Sequence, residues 1–310
     1  EERDTLMINK QEKLTKVKLK GNESFNIREG WLRKGMRCVR EDKTLFSKDD
    51  AMETLGVGSK MVKSIRYWLR ATGLTEENAP VGRAREQIIT EKFGEIVERY
   101  DPYFDDVFTL FLLHYNIVKD SEGLSIVWNI FFNNYDGQDF TKENMIEKCK
   151  EELNKRLAEG VTFSDSLFAD DCASILRMYN ATDAVEDPEE SLGCPMVELG
   201  LIRKSANKKG TYVKTPPARE LLDKLAVLYV ILDNMEEGKE SVSIDSLIND
   251  SNNIGKVFNL DRVLVNEYLD QLRVSGYITL NRTAGLDMVY VNIDRTPQGI
   301  MREYYEKRMR

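Results

Sequence analysis

LFSKDDAMETLGVGSKMVKSIRYWLRATGL, residues 45–74, is the stretch whose reading decides the fold. Ser47 with Asp50 three residues on resembles a capping box, which predicts a helix through Ala51, Met52 and Leu55. Gly56-Val57-Gly58 interrupts that helix. Ser59 is placed to cap a second helix running to about Ala71, and Gly73 to close its C-terminus. Two short helices around a tight glycine-containing turn form the helix-turn-helix pattern.

At 100° per residue, Met61, Val62, Ile65, Trp68 and Leu69 share one face of the second helix. Lys60, Lys63, Ser64, Tyr67 and Arg70 gather on the other, with Arg66 at its flank. An apolar inner face and an acid-free basic outer face suit a recognition helix. Such a helix packs on its own domain and offers cations to phosphates and long donors to base edges. The competing reading is a solvated helix in a protein-binding module.

Upstream, KVKLKGNESFNIREGWLRKGMRCVRED opens with Val17 and Leu19 alternating with lysines, a pattern for a short strand, and a helix is expected over about residues 29–40. The first nine or so residues read as a loosely held terminus. Formal net charge is -8, which alone argues against a nucleic-acid partner. Its distribution argues the other way. Residues 10–40 carry ten Lys/Arg against three Asp/Glu, a local +7, and residues 59–71 carry +4 with no acid, leaving -19 for the rest. DNA responds to a local basic face, although a charge run is often a solvated surface.

At 310 residues the chain has room for two or three domains, and 41% hydrophobic with 32% charged residues places it among globular proteins. No run approaches the apolar length of a membrane span, and the opening EERDTLMINKQEKLTK lacks the core of a secretion signal, so a cytoplasmic location is expected. Cys38, Cys149, Cys172 and Cys194 are scattered, which suits reduced thiols better than disulfides or zinc.

Residues 85–180 read as largely helical. The aromatics of YDPYFDDVFTLFLLHYNIV and LSIVWNIFFNNY imply a buried core instead of a stacking platform for bases. Asp106 or a neighbour should cap the helix holding Leu110 to Tyr115, and FTKENMIEKCKEELNKRL has a similar start. VELGLIRKSANKKGTYVKT predicts a hairpin around residues 207–210, whose basic tip is either a phosphate-touching wing or a solvated turn. SVSIDSLIND and LDRVLVNEYLDQLRVSG predict two helices, after which YITLNR and MVYVNI pair across residues 283–285. Helix, helix, hairpin is the winged-helix order. Asp261, Glu267 and Asp270 on the would-be reading helix would repel phosphate, so this module reads as structural or as a protein or dimer contact.

The chain resembles a bacterial family known as domain of unknown function 4007. In LKGNESFNIREGWLRKG, residues Gly21, Glu23, Phe25, Arg28, Gly30, Trp31 and Lys34 are in step with the family's opening motif. Four further blocks follow in order: LGVGSKMVKSIRYWLRATGL, YDPYFDDVFTLFLLHY, LGCPMVELGLI and DRTPQGIMREYY. The resemblance implies a DNA-engaging component of a phosphorothioate modification and defence system, which replaces a non-bridging phosphate oxygen with sulfur. It implies as partners a cysteine desulfurase and an ATP-pyrophosphatase or PAPS-reductase-like enzyme, and possible DNA nicking. Asn22 stands where the family has histidine. An amide cannot serve as a base near neutral pH, so nicking would be impaired or would use other groups, while Asn22 could still donate to a phosphate.

Direct signals of catalysis are weak. His114 is the one histidine and lies inside an apolar run, which favours a buried structural role and rules out a His-His metal pair. No Walker loop or dinucleotide fingerprint is present. Asp101, Asp105 and Asp106 form the nearest carboxylate cluster, with Glu23 distant, and helix capping explains that cluster more simply than magnesium does. No catalytic residue is named, and no cofactor is assigned beyond magnesium or manganese if the chain nicks DNA.

The expected protein is mainly α with small β-hairpins: a helix-turn-helix module over 1–84, a helical middle over 85–238, and a winged-helix-like module over 239–310. DNA would meet Lys60, Lys63, Ser64, Arg66, Tyr67 and Arg70, with Lys20, Asn22, Arg28, Arg33 and Lys34 extending the track. A non-catalytic DNA-binding regulator and a scaffold for sulfur-transfer enzymes remain as alternatives, and a homodimer is compatible with each.

Overall fold

The computed structural model describes residues 13–79, 85–137, 139–180, 193–283, 286–291 and 294–309. Residues 13–30 run without regular structure apart from a bridge between Leu14 and Leu157. The strand expected around Val17 and Leu19 does not form, because no neighbouring strand lies beside it to complete a ladder. Helix α1 (Trp31–Glu41) follows, then a short 3-10 turn (Leu45–Ser47), α2 (Ala51–Leu55), α3 (Ser59–Ala71) and a hairpin of β1 (Thr75–Glu77) with β2 (Gln87–Ile89).

The two helices quoted first are therefore present, but their caps differ from expectation. Ser47 lies in the 3-10 turn and exchanges hydrogen bonds with the backbone of Arg85, so the Ser47/Asp50 box is not made. Asp50 and Gly58 occupy the two N-cap positions without side-chain bonds, and Ser59 is already helical. Gly56 ends α2 at φ 59, a left-handed conformation that glycine adopts without strain. Gly35 lets α1 and α3 approach closely: a β-carbon there would lie 2.8 Å from Leu69 and 2.9 Å from Ile65.

The middle of the chain supplies α4 (Gly94–Tyr100), α5 (Val107–Lys119), α6 (Ile126–Asn134), α7 (Lys142–Arg156) and α8 (Asp165–Tyr179). α5 is buried nearly all round, as its continuous apolar run dictates, and lies at the centre of the fold. Asp106 caps it by accepting from Phe108 N–H, and Thr141 caps α7 by accepting from Asn144 N–H, both as expected. β3 (Asp139–Thr141) pairs with β5 (Thr211–Lys214), which pairs with β4 (Ile202–Lys204) to give the expected hairpin a third strand.

The remaining elements are α9 (Lys224–Asn234), β6 (Ser241–Ser243), α10 (Ile244–Asn249), α11 (Ile254–Val257), α12 (Arg262–Val274), β7 (Ile278–Thr283), β8 (Leu286–Val291) and α13 (Pro297–Arg308). β7 and β8 pair as expected, with residues 284–285 of the turn and 292–293 outside the described residues, and β6 joins the outer side of β8. The fold is thus mainly helical with small antiparallel sheets. One hydrophobic core runs from Ile27 to Tyr305 through all three regions. α13 returns to pack on α4 and α9, stacking Tyr304 on Phe108 at 3.8 Å and joining Tyr305 to Thr109 by a 2.7 Å hydrogen bond. No described helix is long and apolar enough to cross a membrane.

Candidate nucleic-acid interface

α3 carries the residues that the sequence placed on DNA, and its packing corrects that picture. Val62, Ile65, Trp68 and Leu69 face the core with Met61 partly covered, as expected, but Ser64 and Tyr67 are buried too. Residues 20–26 lie across the side of α3 that was to face solvent. Trp68 Nε1 and Ser64 Oγ both donate to the Phe25 carbonyl, at 2.9 and 3.3 Å. Tyr67 donates its hydroxyl to the Leu124 carbonyl at 3.1 Å, and burial holds its phenol well above the usual range. Ser64 and Tyr67 are therefore structural residues here. A helical wheel cannot register a second covered side when that side carries a hydroxyl and a phenol.

The arginines of α3 are engaged with carboxylates. Arg66 bonds Glu77 at 2.6 Å, Arg70 reaches Glu77 at 3.1 Å and also pairs with Glu122, and Arg85 stands 3.7 Å from Glu77. Glu77 has only 6% of its side chain exposed, so these pairs serve to neutralise an interior charge. Lys63 stands a looser 3.7 Å from Glu23. Lys60 is exposed at the first turn with no ion pair among the described residues.

The opening motif is tied to α8. Lys20 N–H donates to Asp171 at 2.9 Å, and its ammonium pairs with Asp170 at 2.6 Å. Burial pushes the Asp171 carboxyl up to about 7, against the lowering effect of the Lys20 N–H. Asn22 is 1% exposed and donates to Ser174 Oγ at 2.7 Å, so it is not placed to donate to a phosphate. Lys20, Glu23 and Ser24 hold φ values of 56, 50 and 68, a strained turn that these α8 contacts fix.

α1 presents a freer basic face. Trp31, Leu32, Gly35, Met36, Cys38 and Val39 turn inward, leaving Arg33, Lys34, Arg37, Arg40 and Glu41 along the outer side. Arg40 is neutralised by Glu95 and Glu98. Arg37 approaches Glu41 at only 4.0 Å with both groups well exposed, a pairing that contributes little. Among the described residues Arg33 and Lys34 make no ion pair. Arg33 instead lies 4.0 Å over the ring of Tyr103, and Arg28 lies over Phe25 and Trp31 at 5.6 and 5.3 Å.

The structure thus keeps Arg33, Lys34, Lys60 and Lys63 on the surface, leaves Arg28 half-buried, and spends Lys20, Arg66 and Arg70 on carboxylates. The sequence reading left out Arg37, which shares the outer side of α1 with Arg33, and it assigned the aromatic-rich block to the core, whereas Tyr103 is exposed.

His114 has the structural role expected of it. Its Nε2–H donates to the Val257 carbonyl at 2.8 Å and its Nδ1 accepts from the Tyr179 hydroxyl at 2.7 Å, while burial lowers it to about 4. The four cysteines are free thiols. The carboxylates of Asp101 and Asp106 are engaged by the fold around them. Asp101 accepts from two backbone N–H groups and Thr109, and Asp106 caps α5 and receives Tyr304 and Arg308. No group of three metal-ligating side chains converges among the described residues.

Residues 19–305 match a single family model, so the chain belongs to the family described as protein of unknown function (DUF4007). Among curated proteins none matches. Two solved structures of a protein called SspB share the fold, one of them with magnesium bound. The magnesium-bound structure superposes with a TM-score of 0.81 at 24% identity over 95% of this chain and 88% of that one. The other gives 0.81 and 24% over 96% and 89%.

Proposed function

We propose that this chain is the DNA-engaging component of a phosphorothioate modification system, and that it grips the phosphate backbone with the outer face of α1 and the first turn of α3. The observation that carries this reading is the set Arg33, Lys34, Arg37 and Lys60, exposed or half-exposed cations without strong carboxylate partners in a chain of net charge -8. Cations that the fold does not use for itself stay available to phosphates. The uncapped N-terminus of α3 adds backbone N–H groups of favourable polarity beside Lys60. The helix–turn–helix order of α2 and α3 followed by the β1–β2 hairpin suits this use, with α3 entering by its N-terminal end and not along its length. Family membership and the SspB-like fold support the phosphorothioation setting, with a cysteine desulfurase and an ATP-pyrophosphatase-like enzyme as partners.

Nicking, if it occurs, does not use Asn22 as a base, since that side chain is an interior amide held by Ser174. Incubation of the purified protein with supercoiled plasmid in magnesium, manganese or EDTA tests both parts. The proposal expects salt-sensitive retention of plasmid in all three. Metal-dependent open circles would add an activity to it, and absence of retention at low salt would overturn it.

A further inference from the structure

We propose that Tyr103, backed by Arg33, is a seat for one unpaired nucleobase, so that the protein takes single-stranded or locally opened DNA. This rests on the DNA-binding reading above and specifies its substrate. Tyr103 is 56% exposed in the loop between α4 and α5, within a block whose other aromatics are largely buried. Hydrogen bonds to Asp101 brace the loop. Asp101 accepts from the N–H groups of Asp105 and Asp106 at 3.0 and 3.2 Å, and the Phe104 N–H returns to the Asp101 carbonyl at 3.1 Å. Phe104 sits at φ 61, a strained conformation for a bulky residue, in the very turn that directs Tyr103 outward. An exposed aromatic at a strained turn braced by three hydrogen bonds to Asp101 is preorganised for a partner.

The surroundings define that partner. A cleft of 270 Å³ opens beside the ring, where Arg33, Arg37 and Arg40 outnumber Glu41 and Glu98. A second of 370 Å³ also touches Tyr103, and there Arg28 stands among Glu29, Asp105 and Glu198, so the positive side of the ring is the first cleft. The guanidinium of Arg33 stacks on the ring, so the pair offers π-surface together with positive charge. A flat base stacked there would place a flanking phosphate toward Arg37, which lines the same cleft one turn along α1. Bases within a duplex keep their faces stacked on one another and cannot use such a seat, whereas unpaired bases stack on aromatic and arginine planes. The three arginines leave the first cleft net positive, which disfavours a cationic ligand there, and an acidic peptide would have no use for the ring face.

The test is fluorescence anisotropy with a labelled single-stranded oligodeoxynucleotide of about 12 nucleotides and a duplex of the same sequence, since single-strand sites span about 4–16 nucleotides. Tyr103→Ala should weaken single-strand binding about tenfold and leave duplex binding and the salt slope unchanged, while Tyr103→Phe should restore the single-strand affinity. Because Tyr103 is exposed, the alanine variant should keep the melting behaviour of the parent. Equal single-strand affinity in the parent and Tyr103→Ala would overturn the seat while leaving the DNA reading intact. Parallel losses on single strand and duplex would also overturn it. Absence of binding to either DNA by the parent would overturn both.

Discussion

Single residues show most clearly what the sequence could not reveal. Ser64, Tyr67 and Asn22 are polar types at positions that a one-sided helix or an exposed loop would present to water, yet all three are buried with hydrogen-bond partners. The partners lie 39, 57 and 152 residues away, which no local pattern registers. His114 was legible because its own run is apolar on every side. Asp171 gives a residue-scale prediction. Its folded carboxyl titrates at about 7, above the ordinary carboxylate range, so the folded chain keeps a proton that the unfolded chain releases between about 4 and 7. Stability from this group is therefore full at low pH and lost as pH rises through 7. His114 slopes the other way, since its depressed value makes acid between about 6.5 and 4 destabilising. Asp171→Asn cancels the first slope and keeps the second, as well as an acceptor for the Lys20 N–H. Its thermal stability relative to the parent should climb by up to about 4 kcal/mol from pH 4 to 7.5. A difference that is flat with pH would show that Asp171 is ionised throughout.

Elements were more legible than residues, because helix periods and turn glycines are local. α1, α3 and α12 fall close to their expected bounds, α5 and α7 begin at their expected caps, and both hairpins pair as read. β1, β2, β3 and β6, three residues each, are too short to show alternation and owe their pairing to the neighbours brought beside them, whereas the equally short β4 was legible through its hairpin turn. The C-terminal end of α6 shows how one strand completes one helix. Lys214 of β5 donates its three ammonium protons to the carbonyls of Phe131, Phe132 and Tyr135 at 3.3, 3.3 and 3.1 Å. Burial pulls this lysine down to about 8. Nothing in TYVKT marks that role. Lys214→Met keeps the aliphatic stem but leaves three carbonyls without a donor, and it should lower stability by about 2–4 kcal/mol. Urea unfolding with an unchanged m-value would show this as a shifted midpoint, and a loss below about 1 kcal/mol would mean that water replaces the ammonium.

Across the whole molecule, charge is segregated: +7 over residues 10–40 and +4 over residues 59–71 against -19 elsewhere. The fold then sorts those cations. Arg66 and Arg70 neutralise Glu77, Lys20 fastens the opening motif to α8, and Arg33, Lys34, Arg37 and Lys60 are left facing outward. Composition made a basic face legible in the N-terminal third, but only packing revealed that α1 carries it more than α3. Arg66→Glu would therefore report mainly on folding, since it sets a second carboxylate beside the nearly buried Glu77.

The most direct measurement is the affinity of the intact chain for a short DNA at several salt concentrations, for the parent and for Lys34→Glu/Arg37→Glu/Lys60→Glu. These three side chains lie on the outer surface, so the variant should fold. The account predicts that log affinity of the parent falls linearly with log salt. It also predicts that the variant loses most of its affinity, and that its slope shrinks by about 0.7–0.9 for each phosphate contact removed. Salt-independent binding by the parent, or a folded variant with the slope and affinity of the parent, would contradict it.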